Sequence, residues 1–354
     1  MNKIRILYII PDFSNCGPNN MCLNLIGQLD KKEYDIEVVA LGNGEIRDFF
    51  SLSAKTYIFH RKDILGFYRY LKAKNFDIIH SHTIIGDIFS YFSFSKAIKI
   101  TTIHNYPYID SIYRRGKLIG YLLAKLQSIA IASMNKIACS ESVERHCENK
   151  LQYKKLHKIE NGIIPYTGSL PPLKNKEKID FFYIGSLNSR KNVNYVLEAF
   201  SKWKDNIFCN FHVIGDGELY PQLKNKFECS NIIFYGKIPS PRDASIEFDC
   251  FVSASLAEGL PLALLESMSI GKAFICSDIE PHVEVEKKTL GAGLIFSLDI
   301  NHEDLISKFD SYYHNQYKDE ISNIMYNTFN EYYTSQKMAE SYSKLYYSFI
   351  RGES

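Results

Sequence analysis

The sequence predicts two doubly wound α/β domains joined by a hinge, and three observations carry this prediction. The chain has 354 residues, which is long for one compact core and suits two domains. Short apolar, β-branched runs alternate with helix-like stretches almost from end to end. This alternation is typical of parallel sheets whose strands are buried on both faces. It breaks once, near residue 161, so we expect a hinge there and a binding site in the crevice between the domains.

The first domain is predicted to span residues 1–163. Its strand candidates are IRILYII, DIEVVAL, TYIF, DIIHSH, IKITTIH and KIACS, and its main helix candidates are MCLNLIGQL, DILGFYRYLKA and KLIGYLLAKLQSIAIA. The first apolar run is too short for a signal peptide or a membrane span, and Pro11 and Asp12 follow it at once. We therefore interpret this run as a first β-strand.

The second domain is predicted to span residues 164–334. The segment ENGIIPYTGSLPPLKNKEK, which leads into it, has the proline, glycine and lysine content of a linker. The alternation then resumes with DFFYIGS, VNYVLEAFSKW, FHVIG, NIIFYG, DCFVSAS, LALLESMS, AFICSD and GLIFS. Residues 335–354 form a tyrosine-rich tail with a helical pattern.

Composition excludes several classes of protein. Lys plus Arg number 42 and Asp plus Glu number 40, so no strong positive field points to nucleic acid. The eight cysteines include no C-x-x-C pair, which favours buried, reduced thiols in a cytoplasmic protein over a zinc or redox site. The 25 tyrosines and 23 phenylalanines suit a large core, and they also suit work at a membrane interface.

The stretch EGLPLALLE, residues 258–266, places two carboxylates around an apolar helix start. Glu258 is predicted to lie in the loop after a strand, and Glu266 within the helix that Pro261 helps to begin. A carboxylate on an apolar helix face is costly without hydrogen-bond donors, which sugar or ribose hydroxyls would supply. The amides of the first helical turn would hold a diphosphate. The alternative is a structural role, in which the negative charge of Glu258 complements the positive end of the helix and Glu266 faces water.

The surrounding motifs resemble those of the family 4 glycosyltransferases, which have the GT-B fold. EGLPLALLESMSIGKAFICSD is similar to their E-x7-E segment, and FFYIGSLNSRKNVNYVLEAF to the strand, basic loop and helix that open their second domain. FHVIGDGELYPQL, IIFYGKI and IENGI match further segments in order, while TTIHN and the first loop match in the first domain. The tail, TSQKMAESYSKLYYSFI, is similar to a last helix that in these enzymes packs back on the first domain.

The resemblance implies roles for the residues of the central motif. Glu258 would accept hydrogen bonds from the donor sugar, and Glu266 from the ribose. The family usually has an arginine and a lysine in the basic loop; Lys191 matches the lysine, but Ser186 stands where the arginine is expected. Arg190, next to Lys191, could replace the missing charge at the diphosphate. The amides from Gly259 through Leu260 to Leu262 would bind that diphosphate.

Several other positions are expected at the site by the same resemblance. His104, at a strand end, would lie near the reacting sugar, while His80 and His82 fit either the acceptor side or core packing. The remaining nucleotide-binding candidates lie in loops that follow predicted strands: Gly17, Gly185, Ser186, Gly215, Gly236, Lys237 and Ile238.

The sequence also bears on metals and membranes. It contains no D-x-D, so we expect neither a metal nor another cofactor, and the nucleotide-sugar is a substrate. Residues 113–136 combine Arg114, Arg115, Lys117 and Lys125 with apolar side chains. This stretch would suit either an anionic membrane surface, here the cytoplasmic face of the inner membrane, or a core helix with a basic start.

These features predict a retaining glycosyltransferase that moves a sugar from a nucleotide diphosphate, with UDP favoured, to a hydroxyl of a glycan acceptor. The resemblance implies a lipid-linked acceptor in bacterial surface polysaccharide synthesis, such as O-antigen or capsule. Two alternatives stay open: a nucleotide-sugar epimerase of the same fold, and a non-catalytic nucleotide-sugar-binding partner. A dinucleotide-dependent oxidoreductase is disfavoured, because PDFSNCGPNN follows the first strand in place of G-x-G-x-x-G.

Overall fold

The computed structural model describes residues 3–60, 63–168 and 178–353. The chain divides into two compact units, and each is described by itself. The first comprises Met1–Ile164 together with Tyr333–Ser354, and the second comprises Pro165–Tyr332. Most of the predicted linker after Gly168 lies outside the described residues.

The first unit contains a parallel sheet of seven strands in the order β3-β2-β1-β4-β5-β6-β7. This order reverses between β1 and β4, as in doubly wound sheets. Its strands are β1 (Ile4–Ile10), β2 (Tyr34–Ala40), β3 (Lys55–Ile58), β4 (Ile78–His82), β5 (Ile98–Ile103), β6 (Asn135–Ala138) and β7 (Leu156–Lys158). Its helices are α1 (Gly17–Gln28), α2 (Arg47–Ser51), α3 (Ile64–Ala73), α4 (Thr83–Tyr91), α5 (Pro107–Arg115), α6 (Lys117–Ile131) and α7 (Glu141–Asn149).

The central strands of this sheet are buried on both faces, which explains the apolar run of β1, although β4 and β5 also carry buried histidine, serine and threonine side chains. In β1, Ile6 to Ile10 have no exposed surface. One side of the sheet packs on α3 through the buried residues Leu7, Ile9, Val39, Phe67, Leu71, Phe76 and Ile79.

The second unit contains a parallel sheet of six strands in the order β10-β9-β8-β11-β12-β13. Its strands are β8 (Ile179–Ile184), β9 (Cys209–Ile214), β10 (Ile232–Gly236), β11 (Cys250–Ser253), β12 (Ala273–Ser277) and β13 (Leu294–Phe296). Its helices are α8 (Val193–Lys202), α9 (Tyr220–Phe227), α10 (Pro241–Ala244), α11 (Leu262–Ser269), α12 (Glu280–Lys288), α13 (Glu303–Tyr313) and α14 (Lys318–Tyr332). An aromatic core that includes Phe181, Phe200, Trp203 and Phe309 fills the space between this sheet and its helices.

The last helix, α15 (Ser335–Arg351), belongs to the first unit. Its start is held by Ile163, whose amide donates to Tyr333 O at 3.0 Å and whose carbonyl accepts from Ser335 N at 2.8 Å. Tyr342 and Tyr346, one turn apart, are fully buried and reach polar groups of the sheet. The tyrosine-rich sequence of the tail is therefore an internal face of the first unit.

The 113–136 stretch contains residues of two helices and has exposed apolar side chains. Gly116, whose φ of +79° suits glycine, separates α5 from α6 within the predicted 113–136 stretch. On α6, several apolar side chains are exposed, Leu118 by 74% and Leu122 by 56%. No helix in the described parts of the chain is both long enough and apolar enough to cross a membrane.

The cysteines form no disulfide within the described residues, and six of the eight are buried. Burial raises the pKa of the half-buried Cys16 thiol, which keeps it protonated.

Candidate active site

The candidate nucleotide-sugar site of the second unit lies where its strand order reverses, between β8 and β11. In open parallel sheets, the loops at the carboxyl ends of two such strands diverge and leave a binding crevice. Here the loop after β8 carries Arg190 and Lys191, and the loop after β11 carries Glu258. The two loops are joined by a hydrogen bond of 2.9 Å from Leu256 N to Arg190 O.

Glu258 forms a buried ion triad with Arg190 and Lys191. Lys191 Nζ donates to Glu258 Oε1, and Arg190 Nη1 donates to Oε2 at 2.9 Å and to the carbonyl of Ala257. The carboxylate is 8% exposed and the two cations 15% and 16%, so solvent screens these charges little. The geometry shows that the adjacent side chains of Arg190 and Lys191 converge on one carboxylate.

The triad fixes the charge of Glu258. Burial alone would raise the pKa of this carboxyl, but the charges of Lys191 and Arg190 outweigh burial and lower it to about 2. Glu258 is therefore an anion at neutral pH, and each of its oxygens keeps a lone pair for a further donor. Ser186, at the usual arginine position, is exposed, and its carbonyl accepts from Tyr183 OH at 3.0 Å.

The predicted helix start has the expected form. Pro261 is the N-cap of α11, and its carbonyl accepts from Leu264 N at 3.1 Å. Gly259 and Leu260 are buried and Leu262 is half-buried. In the described parts of the chain, the amides of Leu260 and Leu262 donate to no protein acceptor, so both can serve an anion at the positive end of the helix.

Glu266 lies one turn further along α11 and is half-buried. Burial raises the pKa of its carboxyl to about 7, and the charge of Arg242 lowers it only in part. The side chain accepts no hydrogen bond from a described residue. A half-buried carboxyl of this kind would gain from the hydroxyl donors of a bound ribose.

A row of backbone turns lies at the carboxyl ends of β8, β9 and β10. Gly185 N donates to Ile214 O at 3.0 Å, and Gly215 N donates to Gly236 O at 2.9 Å. A Cβ on Gly215, whose φ is +141°, would lie 1.8 Å from Gly185 O, so only glycine fits there. After Gly236, Lys237 is exposed and Ile238 is half-buried.

Sequence reasoning missed His282, which lies in the first turn of α12. Its Nδ1 contacts Ser277 O at 2.9 Å, while its Nε2 is buried without a partner among the described residues. Burial lowers the pKa of His282 to about 4, although the nearby Glu258 charge raises it. No motif pointed to this residue, because its position depends on the packing of two loops.

The two site candidates in the first unit are Gly17 and His104. Gly17 begins α1, and a Cβ at this position would meet no atom within 4 Å, so the turn does not require glycine by contact. The loop before it is held by Asn19, whose side-chain amide donates to Asp12 O at 3.0 Å and to Ser14 O at 2.9 Å. His104 follows β5, and its Nε2 lies 2.8 Å from Nδ1 of the fully buried His82.

Comparisons with known proteins agree with this geometry. The family model for glycosyl transferases group 1 matches residues 171–332, and the model for Glycosyltransferase Family 4 matches residues 16–165. The chain belongs to the family 4 glycosyltransferases. The predicted family is confirmed, and the function class is that of a glycosyltransferase.

Curated relatives of this glycosyltransferase act in the assembly of bacterial glycans. The UDP-Gal:alpha-D-GlcNAc-diphosphoundecaprenol alpha-1,3-galactosyltransferase of Escherichia coli is 25% identical, over 85% of this chain and 86% of its own length. The O-antigen biosynthesis glycosyltransferase WclY of Escherichia coli is also 25% identical, over 98% of this chain and 99% of its own. The capsular polysaccharide biosynthesis glycosyltransferase CapH of Staphylococcus aureus is 24% identical, over 80% and 84%.

Solved structures confirm the predicted GT-B fold. A glycosyltransferase from Rickettsia africae matches with a TM-score of 0.79 at 17% identity, covering all of both chains. Anabaena HepE in complex with UDP and glucose matches with a TM-score of 0.80 at 12% identity, covering 97% of this chain and 99% of its own. At these identities the likeness concerns the fold, and the roles of individual residues rest on the geometry above.

Proposed function

We propose that this glycosyltransferase moves a sugar, with retention of configuration, from a UDP-sugar to a hydroxyl of a lipid-linked glycan in O-antigen or capsule synthesis. The observation that carries the proposal is the buried triad of Glu258, Arg190 and Lys191 beside the start of α11. UDP is proposed because HepE binds it on the same fold. A lipid-linked acceptor is proposed because the galactosyltransferase relative is named for a diphosphoundecaprenol substrate.

The triad and the helix start are suited to different parts of the donor. Glu258, held as an anion, would accept from sugar hydroxyls through the lone pairs that its cations leave open. Lys191 has two further N–H donors, which would serve the diphosphate together with the amides of Leu260 and Leu262. Glu266 would accept from the ribose, and the backbone turns at Gly185, Gly215 and Gly236 would face the base.

In the proposed reaction the bond from the anomeric carbon to the diphosphate oxygen breaks, and a bond to the acceptor oxygen forms on the same face. The acceptor proton passes to the departing diphosphate, so no protein base is required. Arg190 and Lys191 would stabilise the negative charge that grows on the diphosphate. Because two cations and a helix start can supply this stabilisation, we propose that the reaction needs no metal.

We further propose that α5 and α6 contact the cytoplasmic face of the membrane that holds the acceptor. The α6 surface is defined by the exposed side chains Leu118, Ile119, Tyr121, Leu122, Leu126 and Ile129. The exposed cations Arg114, Arg115, Lys117 and Lys125 border it. Apolar side chains bordered by cations suit a bilayer that contains anionic lipid.

Vesicle sedimentation tests this surface. Wild type should bind phosphatidylglycerol-containing vesicles, and Leu118→Glu with Leu122→Glu should release it. The control is Ile300→Glu, because Ile300 is 94% exposed but lies in the second unit. Equal binding by all three proteins would remove the α6 surface from the proposal.

Transfer itself is tested with UDP-glucose, UDP-galactose and their N-acetyl forms, offered with and without an undecaprenyl-diphosphate-linked sugar. We expect one donor to yield a disaccharide lipid whose new linkage keeps the α-anomer of the donor, and we expect EDTA to leave the rate unchanged. Isomerisation of a donor without acceptor would identify an epimerase instead. Loss of activity in EDTA that Mg²⁺ or Mn²⁺ restores would contradict the metal-free mechanism.

Point variants separate catalysis from simple binding. Glu258→Ala and Lys191→Ala should each reduce transfer by about 100-fold or more, because each removes a protein charge that would lie at the reacting end of the donor. Lys287→Ala is the control, since Lys287 is exposed in the last turn of α12. A wild type that binds UDP-sugars and turns none over would indicate a non-catalytic partner.

A further inference from the structure

Three histidines of the first unit form a stack at the ends of β4 and β5. The rings of His80 and His82 are 4.6 Å apart between centroids, and those of His82 and His104 are 5.1 Å apart. His80 and His82 are fully buried, whereas His104 is half-buried at the end of the stack. The pairing of β4 with β5 sets His82 opposite Thr102, which brings His104 beside it.

The hydrogen bonds divide this stack into two parts. Both ring nitrogens of His80 have partners, Tyr346 OH at 2.7 Å and Thr102 Oγ1 at 2.8 Å. His82 has one partner in the described chain: its Nδ1 lies 2.8 Å from His104 Nε2, and its Nε2 is buried without a partner. Neither ring nitrogen of His80 is therefore available to form a hydrogen bond with His82.

The environment keeps both members of the second pair neutral. Burial lowers the pKa of His82 well below its usual value, and the neighbouring His80 and His104 lower it further. Burial also lowers the pKa of His104 to about 3, with a smaller contribution from the charge of Arg114. The bond between them therefore joins two neutral rings, and one proton lies between the two nitrogens.

The position of that proton follows from the orphaned nitrogen of His82. If His104 donated, His82 would carry its own proton on Nε2, as a buried N–H without an acceptor. If His82 donates from Nδ1, its Nε2 is a bare lone pair. In native proteins, a buried N–H without an acceptor is rarer than a buried lone pair without a donor. His82 is therefore the donor, and His104 accepts at Nε2 and carries its proton on Nδ1.

We infer that His82 is a positioning residue that makes His104 a hydrogen-bond donor through Nδ1–H and leaves it no lone pair to act as a base. The inference rests on the proposed function, for which the family resemblance predicts that His104 lies near the reacting sugar. In the described residues, His104 Nδ1 has no hydrogen-bond partner, so its N–H can donate to a ligand oxygen. The ligand class is a hydroxyl or phosphoryl oxygen of a bound substrate.

The tautomer is measured directly by NMR, without any transfer reaction. The protein is labelled with ¹⁵N in its ten histidines, and His104→Asn identifies the His104 signals by their disappearance. We expect Nδ1–H in wild type and a shift towards Nε2–H, the form that free histidine favours, in His82→Phe. Nε2–H in wild type, or an unchanged tautomer in His82→Phe, would overturn the inference.

A second variant guards against loss of folding. His82→Asn places an amide close to the position of Nδ1, and with its N–H turned towards His104 Nε2 the wild-type tautomer of His104 should be kept. If His82→Phe unfolds, the wild-type spectrum alone decides, because Nε2–H for His104 refutes the inference and Nδ1–H supports it. These NMR outcomes hold whether or not the protein proves to transfer sugar, so the two proposals can fail separately.

Kinetics then report whether the tautomer matters. His82→Phe should lower kcat by about 10- to 100-fold with a smaller change in the acceptor KM, and His82→Asn should restore most of the loss. His104→Asn, whose amide lies near Nδ1, should retain more activity than His104→Gln, whose amide lies near Nε2. Greater activity for His104→Gln would contradict donation from Nδ1.

Discussion

The pH dependence of donor binding is the sharpest prediction for Glu266. Its carboxyl has a pKa of about 7, raised chiefly by burial, so the free protein is only half ionised at neutral pH. The proposed ribose contact needs the carboxylate, which accepts from hydroxyls more strongly than a neutral carboxyl does. Donor binding should therefore strengthen as pH rises through 7.

The size of this effect follows from the pKa. If only the ionised form binds, the apparent Kd is multiplied by 1 + 10^(pKa − pH). For a pKa of about 7 that factor is about 11 at pH 6, about 2 at pH 7 and about 1.1 at pH 8. Affinity should thus fall about tenfold from pH 8 to pH 6, which corresponds to about 1.4 kcal/mol.

Calorimetric titration with a UDP-sugar measures this Kd. A UDP-sugar is used because its diphosphate is esterified at both ends and does not titrate between pH 6 and 8, unlike free UDP. His104 and His282, with pKa values of about 3 and about 4, titrate below this window. Glu266→Gln supplies the control, because an amide cannot ionise: its affinity should be lower at pH 8 and independent of pH. A flat wild-type profile, or the same slope in Glu266→Gln, would refute the reasoning.

Three further predictions concern stability. The pKa of about 2 for Glu258, against 4.5 ordinarily, corresponds to about 3 kcal/mol from its two cations after the opposing cost of burial. Lys191→Met should therefore lower the free energy of unfolding in urea by about 2 kcal/mol, and less in a Glu258→Gln background; equal losses in both would contradict the ion triad. His80, whose pKa burial lowers to about 3, is neutral when folded and takes up a proton near pH 6.5 when unfolded. The contribution of His80 should thus be complete above pH 6.5 and fall by about 1.4 kcal/mol per pH unit below it. The other buried histidines, His82, His104 and His282, add to this loss in the same direction, and a Tm that stays constant from pH 7.5 to 5 would oppose this. Tyr346→Phe removes the hydroxyl that lies 2.7 Å from His80 Nδ1, and it should cost about 1–3 kcal/mol in thermal unfolding. Tyr317→Phe, at a side chain that is 68% exposed, should cost almost nothing, and similar losses in both variants would count against the buried bond.

The fold was predictable because its central strands are buried on both faces. Apart from Arg5, the run IRILYII has no charged position, so it lacks the alternation of a surface strand, and helices follow such runs at regular intervals. Short elements were missed: β7 has three residues and α10 has four, too few for a periodic signal. The candidate KLIGYLLAKLQSIAIA begins at Lys117, as α6 does, but the separate helix α5 before Gly116 was not predicted.

The candidate site was predictable to the level of its motifs. The E-x7-E spacing placed Glu258 in a loop and Glu266 in a helix, as the structure has them. The direction of Arg190 was not predictable, because adjacent side chains diverge unless the loop turns; here Asn192, with a φ of +51°, follows them in a left-handed turn.

The histidine pairing of the first unit depends on a different kind of information. His82 and His104 are 22 positions apart and meet only through the register of two parallel strands. The sequence shows that each ends a strand, but the ring that donates and the nitrogen left without a partner are properties of the folded packing.

Hydrogen exchange of the backbone amides tests the central claim, that the loops after β8 and β11 and the start of α11 hold the nucleotide diphosphate. Exchange is followed by mass spectrometry, with and without saturating UDP. The account predicts slower exchange in peptides that contain residues 185–191 and 256–265, because a bound diphosphate would accept from those amides. Tight binding of UDP with unchanged exchange in both segments would contradict it.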